Sequence, residues 1–160
     1  MKLFPAHSYQ AELQLRFAAV ERKLGQSFPG TQIEHIGASS IPGAVSKGDL
    51  DICLLVAPER LEACVVALQA QGYQEKQETL RSEALCMLEW LEPAQAHAVQ
   101  VVAQGSKFVE LFIGFRDRLR ASPALVEAYN QLKTEWAVQG EDAYRAAKSK
   151  FIEAVLAAPT

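Results

Sequence analysis

The sequence predicts an α+β fold: a small mixed β-sheet packed with helices, followed by a helical C-terminal half. Three observations carry that reading. Extended, β-rich runs cluster between residues 33 and 103. Beyond Gln104-Gly105-Ser106 the apolar spacing is helical to the end. The strict βαβα alternation of a doubly wound parallel sheet is missing.

The elements follow in order. Residues 8–24 place Leu13, Phe17, Val20 and Leu24 on one helical face, and Gly25 and Pro29-Gly30 are expected to end that helix. A short extended run begins at Ile33. A loop of small residues, Gly37-Ala38-Ser39-Ser40, leads to a second strand over residues 49–56. Pro58-Glu59-Arg60 opens a helix that Gly72 stops, with Leu61, Cys64, Val65 and Leu68 on its inner face. Strands are predicted over residues 73–78, 84–91 and 98–103. One helix is predicted over residues 107–120, a second from Pro123 to about Val138 with Ser122 as its cap, and a third after Gly140 through about Ala157. Trp90 and Trp136 are read as packing residues.

Composition narrows the function. A chain of 160 residues is read as one domain, 1–160. At this length about 68–70% of the unfolded surface can be buried, so no staples are needed. The net charge of −3 argues against general nucleic-acid binding. Cys53, Cys64 and Cys86 lack metal-type spacing and sit among apolar neighbours, as buried free thiols do. Met1-Lys2-Leu3-Phe4-Pro5 leads into no apolar signal core, and no run approaches the ~18 apolar residues of a membrane span. A soluble, cytoplasmic protein is expected, with no membrane partner.

The chemistry concentrates in residues 33–56. Asp49 and Asp51 are two apart, so on a strand both carboxylates project from one face, roughly 6.5–7 Å apart along the backbone. Hard divalent cations prefer such oxygen pairs. A hydroxyl-bearing glycine loop beside them is the minimum equipment for phosphoryl or nucleotidyl transfer. Gly-x-Gly-x-x-Gly and Gly-x-x-x-x-Gly-Lys-Ser/Thr are both absent. His97 has no evident partner. Arg116 and Asp117 are adjacent on a helix and are not expected to pair, whereas Arg116 and Arg120 share a face; a buried ion pair fixing that helix to the sheet is the favoured role. Tyr129-x-x-x-Lys133 is echoed by Tyr144-x-x-x-Lys148, each pair one turn apart. Both amphipathic packing and a role for these lysines remain open.

The series His35-Ile36-Gly37-Ala38-Ser39-Ser40-Ile41-Pro42-Gly43, then Lys47-Gly48-Asp49-Leu50-Asp51, resembles the GrpB-like family, a branch of the polymerase-β-type nucleotidyltransferase superfamily. Later runs agree: Gly114-Phe115-Arg116-Asp117-Arg118-Leu119-Arg120, Tyr129-Asn130-Gln131-Leu132-Lys133, and Tyr144-Arg145-Ala146-Ala147-Lys148-Ser149-Lys150-Phe151-Ile152. The resemblance implies a nucleotidyltransferase-type fold that uses Mg²⁺ and a nucleoside triphosphate, with an unidentified acceptor. Asp49 and Asp51 would be the catalytic metal ligands. Gly37 would allow close backbone approach, Ser39 and Ser40 would contact phosphate, and Lys47 would neutralise its charge. Arg81 is a further phosphate candidate, and His35 would orient the loop.

Two positions depart from the superfamily pattern. Ala38 stands where a serine commonly follows the glycine. Gln100 stands where a third acid, or a GrpB-like histidine, would lie. Two alternatives to catalysis therefore stay open: a non-catalytic nucleotide- or metabolite-binding module, and a protein-interaction domain docking through an apolar stripe on the C-terminal helices.

Overall fold

The computed structural model describes residues 1–160. Five strands form one mixed sheet in the order β1-β2-β5-β4-β3. These are β1 (Gln32–Ile36), β2 (Asp51–Val56), β3 (Gln74–Glu75), β4 (Leu85–Trp90) and β5 (His97–Ala103). The central pair, β2 and β5, is parallel, while β1 on β2, β4 on β5 and β3 on β4 are antiparallel. Both central strands are apolar along nearly their whole length, as strands covered on two faces must be.

One face of the sheet presents Ile52, Leu54, Val56, Val99 and Val101 to α1 (Gln10–Ser27) and α2 (Leu61–Gln71). The opposite face carries Cys53, Leu55 and Val102 against Phe108. A third cluster joins Ile41 and Ala44, in the loop after β1, to Phe115, Leu119, Val126, Tyr129 and Val155. These last come from α4 (Phe115–Arg120), α5 (Pro123–Trp136) and α6 (Glu141–Ala157). The α+β architecture with a helical C-terminal half is as the sequence predicts.

Several boundaries differ. α1 runs through Gly25 to Ser27, because the exposed glycine costs too little to stop a helix held by Leu13 and Leu24. The expected strand over residues 73–78 shrinks to Gln74–Glu75, an edge where the chain soon turns away. β2 begins at Asp51, so Asp49 lies in the irregular segment before it and the two carboxylates do not share a strand. The predicted single helix over residues 107–120 is in three parts: α3 (Lys107–Val109), a π-helical turn (Glu110–Gly114) and α4. A Cβ on Gly114 would lie within 2.7 Å of the Glu110 carboxylate, the tip of a mostly exposed side chain that can swing aside. Gly72 ends α2 as expected, with a left-handed φ of 113°. Trp136 is 40% exposed and is not a core residue, whereas Trp90 packs on the main core. All three cysteines are buried and free. No helix is long and apolar enough to cross a membrane.

Candidate active site

β1 ends at Ile36, and Gly37 turns the chain with φ 75°. The turn places Gly37 directly against β2: a Cβ there would stand 2.8 Å from Asp51 Oδ2. The loop then returns along α5. Val45 N–H donates to Asn130 Oδ1 (2.8 Å), Asn130 Nδ2 donates to Gly43 O (2.9 Å), and Lys133 Nζ donates to Val45 O. This clamp fixes the course of the chain into Ser46, Lys47 and Asp49.

A cleft of about 480 Å³ opens between this loop, the start of β2, the π-helical turn, α5 and α6. Asp49 and Asp51 stand on one side of it and Lys47, Lys133 and Lys148 around it. Leu111, Phe112 and Ile152 add an apolar wall. Asp51 keeps part of its surface open, while Asp49 is largely exposed and pairs with Lys47 Nζ at 3.8 Å. Burial and the neighbouring Asp49 charge push the Asp51 carboxyl up to about 6, against the opposing pull of Lys148 and of the Gln100 side chain.

The lysines are strained in the opposite sense. Lys133 is 1% exposed, with Nζ 4.2 Å from the Tyr129 ring centroid, and burial next to Lys148 pushes it down to about 7. Burial and the Lys47 charge also lower Lys148, partly offset by Asp51 and Asp49. Cations held close together in a poorly hydrated wall make a site that an anion would relieve.

Of the residues marked in the sequence, Gly37, Lys47, Asp49 and Asp51 come together in this cleft. Ser39 and Ser40 do not line it. Both are buried; Ser39 Oγ lies 2.9 Å from His35 Nε2, and Ser40 Oγ donates to Gly37 O at 2.6 Å. Their hydroxyls hold the loop together, and His35 does orient it. Burial and the nearby Arg120 and Arg116 push His35 down to about 4, so it is neutral at pH 7. Arg81 also lies outside the cleft, bound to Glu62 (2.8 Å) and Glu75 (3.0 Å).

Three further expectations are answered. Arg116 is buried and donates to Glu34 Oε2 and to His35 O, which ties α4 to β1 as favoured. It also donates through Nε to Asp117 Oδ1 at 2.9 Å, so the adjacent pair does meet. A long guanidinium curling back over its own backbone escapes the rule for neighbouring helical positions. His97, expected to be unpartnered, sits 2.7 Å from Tyr73 Oη and 2.8 Å from Gln95 O. Gln100 shares the face of Asp51 and Cys53, and its Oε1 is buried without a partner. Lys133 and Lys148 also line the cleft, and the repeated Tyr-x-x-x-Lys spacing is the sequence feature that marks them.

Comparison with known proteins agrees with this geometry. The description "GrpB protein" matches residues 6–158. The chain is 47% identical over 156 residues to a UPF0157 protein of Vibrio cholerae, covering 98% of this chain and 82% of that one. It is 33% identical over 144 residues to a UPF0157 protein of Deinococcus radiodurans, covering 88% and 74%. Among solved structures it resembles the conserved protein GrpB of Enterococcus faecalis, with a TM-score of 0.77, 23% identity and 97% of each chain covered. A chain of the GLD-2–GLD-3 poly(A) polymerase complex shares the fold at a TM-score of 0.51 and 19% identity, over 80% of this chain and 44% of that one. With the loop, the aspartates and the Tyr-Lys repeats in one cleft of a nucleotidyltransferase-type fold, this chain belongs to the GrpB family.

Proposed function

We propose that the cleft binds a nucleoside triphosphate with Mg²⁺, and that the chain is a nucleotidyltransferase passing the nucleotidyl group to an acceptor. The observation that carries this reading is the convergence of Asp49 and Asp51 with Lys47, Lys133 and Lys148 around one cavity. The lysines suit a polyphosphate, and the apolar wall of Leu111, Phe112 and Ile152 suits a nucleoside. With the serine hydroxyls turned inward, the phosphates would be held by lysine ammonium groups and by Ser46 and Ser149, which also line the cleft.

The residues fit one hard cation better than two. Asp49 and Asp51 repel one another, as the raised Asp51 carboxyl records, and a cation would remove that cost. No three acidic, histidine or cysteine side chains lie close enough together to hold one metal ion among them. Mg²⁺ is commonly held by one or two carboxylates plus substrate phosphates, and that set is available here. When bound it would supply charge stabilisation at the phosphates. The protein's own part is to hold the triphosphate against the carboxylates and to exclude water behind Lys133.

A non-catalytic binding module is the second reading, favoured by Gln100 in place of an acid on β5. The interaction-domain reading gains little: the large apolar residues exposed in the C-terminal half are Trp136 and Val138, which form no stripe. The deciding experiment is a thermal-shift panel of ATP, GTP, CTP and UTP, with and without Mg²⁺, on wild type and Asp49→Ala/Asp51→Ala. A Mg²⁺-dependent shift lost in the double variant supports the site. Binding without turnover favours the module, and no shift with any triphosphate overturns the nucleotidyltransferase reading and leaves a non-catalytic one.

A further inference from the structure

The two aspartates face a second cavity as well. A pocket of about 320 Å³ lies on the other side of them and shares Asp49 and Asp51 with the lysine-lined cleft. Its remaining wall includes Arg16, Lys76, Glu89 and Trp90. Sheet register explains how Glu89 arrives there. Asp51 on β2 is the partner of Ala98 on β5, and Ala98 is the partner of Glu89 on β4. Paired residues in adjacent strands point to the same face, so Asp51 and Glu89 flank the small Ala98 side chain with backbones roughly 10 Å apart. Glu89 has no salt bridge, and neither does Lys76, although both line one pocket.

We infer that this pocket receives the acceptor, and that the acceptor is a small molecule carrying a hydroxyl and an anionic group. The inference rests on the nucleotidyltransferase reading and deepens it. Two cavities meeting at one carboxylate pair let donor and acceptor approach from opposite sides, as an in-line displacement requires. Lys76 and Arg16 supply the charge that holds an anion. Glu89 accepts the hydrogen bond of the nucleophilic hydroxyl. The volume is at the low end of small-molecule sites, which leaves little room for a polynucleotide. In the step itself, the acceptor oxygen forms a bond to the α-phosphorus while its proton passes to the Glu89 carboxylate. The bond from that phosphorus to the bridging oxygen breaks, and pyrophosphate leaves with the electron pair.

Trp90 makes the pocket observable. The chain has two tryptophans, and Trp136 lines neither cavity. In Trp136→Phe, emission therefore reports Trp90. The probe is glycerol 3-phosphate, with glycerol as the neutral control and an oligoadenylate as the polymeric one, each titrated with and without a non-hydrolysable ATP analogue and Mg²⁺. The expected result is a saturable Trp90 response to millimolar glycerol 3-phosphate and none to glycerol. Lys76→Ala should weaken it at least tenfold. Lys76 lines this pocket but not the neighbouring one beside Tyr73 and His97, so that loss assigns the site. Glu89→Gln should keep the response while lowering label transfer from α-labelled ATP at least tenfold. No response to glycerol 3-phosphate, a response indifferent to Lys76→Ala, or a response to the oligoadenylate instead overturns the inference. Triphosphate binding in the lysine-lined cleft is read separately by thermal shift, so failure of the acceptor pocket is distinguishable from failure of the donor cleft.

Discussion

Gly37 and Asp51 are locked face to face: the hydrogen of one backbone carbon stands where any Cβ would come within 2.8 Å of the other's carboxylate. Gly37→Ala therefore carries two costs, the clash and a left-handed backbone at φ 75°, the second alone worth about 1–2 kcal/mol. Chemical denaturation should show at least that loss. The Mg²⁺-dependent triphosphate shift should fall with it, because the carboxylate must move to make room.

Asp51 should leave a signature in pH. Its carboxyl titrates near 6 in the folded chain, against the ordinary 3.8. Between those values the folded state holds more protons than the unfolded one, so stability falls as pH rises from about 4 to about 6. Asp51→Asn removes that dependence. Melting temperatures of variant and wild type should agree near pH 4 and separate in favour of the variant above pH 6, with the variant losing its response to Mg²⁺.

Lys133 should behave in the mirror sense. Its ammonium is pushed down to about 7 from 10.5, so between those values the unfolded chain binds more protons and stability rises with pH. The wild-type minus Lys133→Met difference in stability should grow across that window and be flat below pH 7. Triphosphate affinity of the variant should drop about tenfold, the order expected for one charge-assisted contact. The loss should be greatest at pH 6, where the lysine is charged.

Arg116 holds α4 to β1 through Glu34 and the His35 carbonyl while itself nearly inaccessible. Arg116→Ala strands Glu34 and that carbonyl, and a loss of about 3 kcal/mol is expected from breaking such a pair. Arg116→Lys should recover only part, since an ammonium cannot reproduce the guanidinium fork. Urea unfolding of both variants measures the difference.

Gln100→Glu would restore an acid beside Asp51. Without cation it should lower the melting temperature at pH 7.5, because a further charge enters a pair already repelling itself. Mg²⁺ or Mn²⁺ should raise the melting temperature of this variant more than that of wild type. Equal cation responses would show that the β5 position does not face the cation.

The main elements of the fold were legible because each carries a local cause. Leu13, Phe17, Val20 and Leu24 set α1, Gly72 ended α2, and the apolar runs of residues 51–56 and 98–103 read as strands, though not as a parallel pair. The π-helical turn was not legible, since the helical spacing of residues 107–120 runs through it without a proline to break it. That Gly37, Lys47, Asp49 and Asp51 would come together in one cleft was readable from a short contiguous stretch. Ser39 and Ser40 were misplaced because nothing in their order says that His35 and the Gly37 carbonyl would take their hydroxyls. Arg81 was misplaced because its acidic partners, Glu62 and Glu75, come from other elements. Lys133 and Lys148 needed the docking of α5 and α6 onto the loop, which periodicity alone does not supply.

That docking gives the C-terminal half a second role. Residues 43–45 have no strand partner and are held instead by Asn130 and Lys133, two side chains one turn apart on α5. The Val45 amide should thus exchange its hydrogen as slowly as the central strands, although it lies in a loop. A nascent chain that has already paired β2 with β5 still lacks the lysine-lined cleft until about fifty further residues, through α6, have folded. If the proposed function holds, acquisition of triphosphate binding during refolding is a clock for the last helices, not for the sheet.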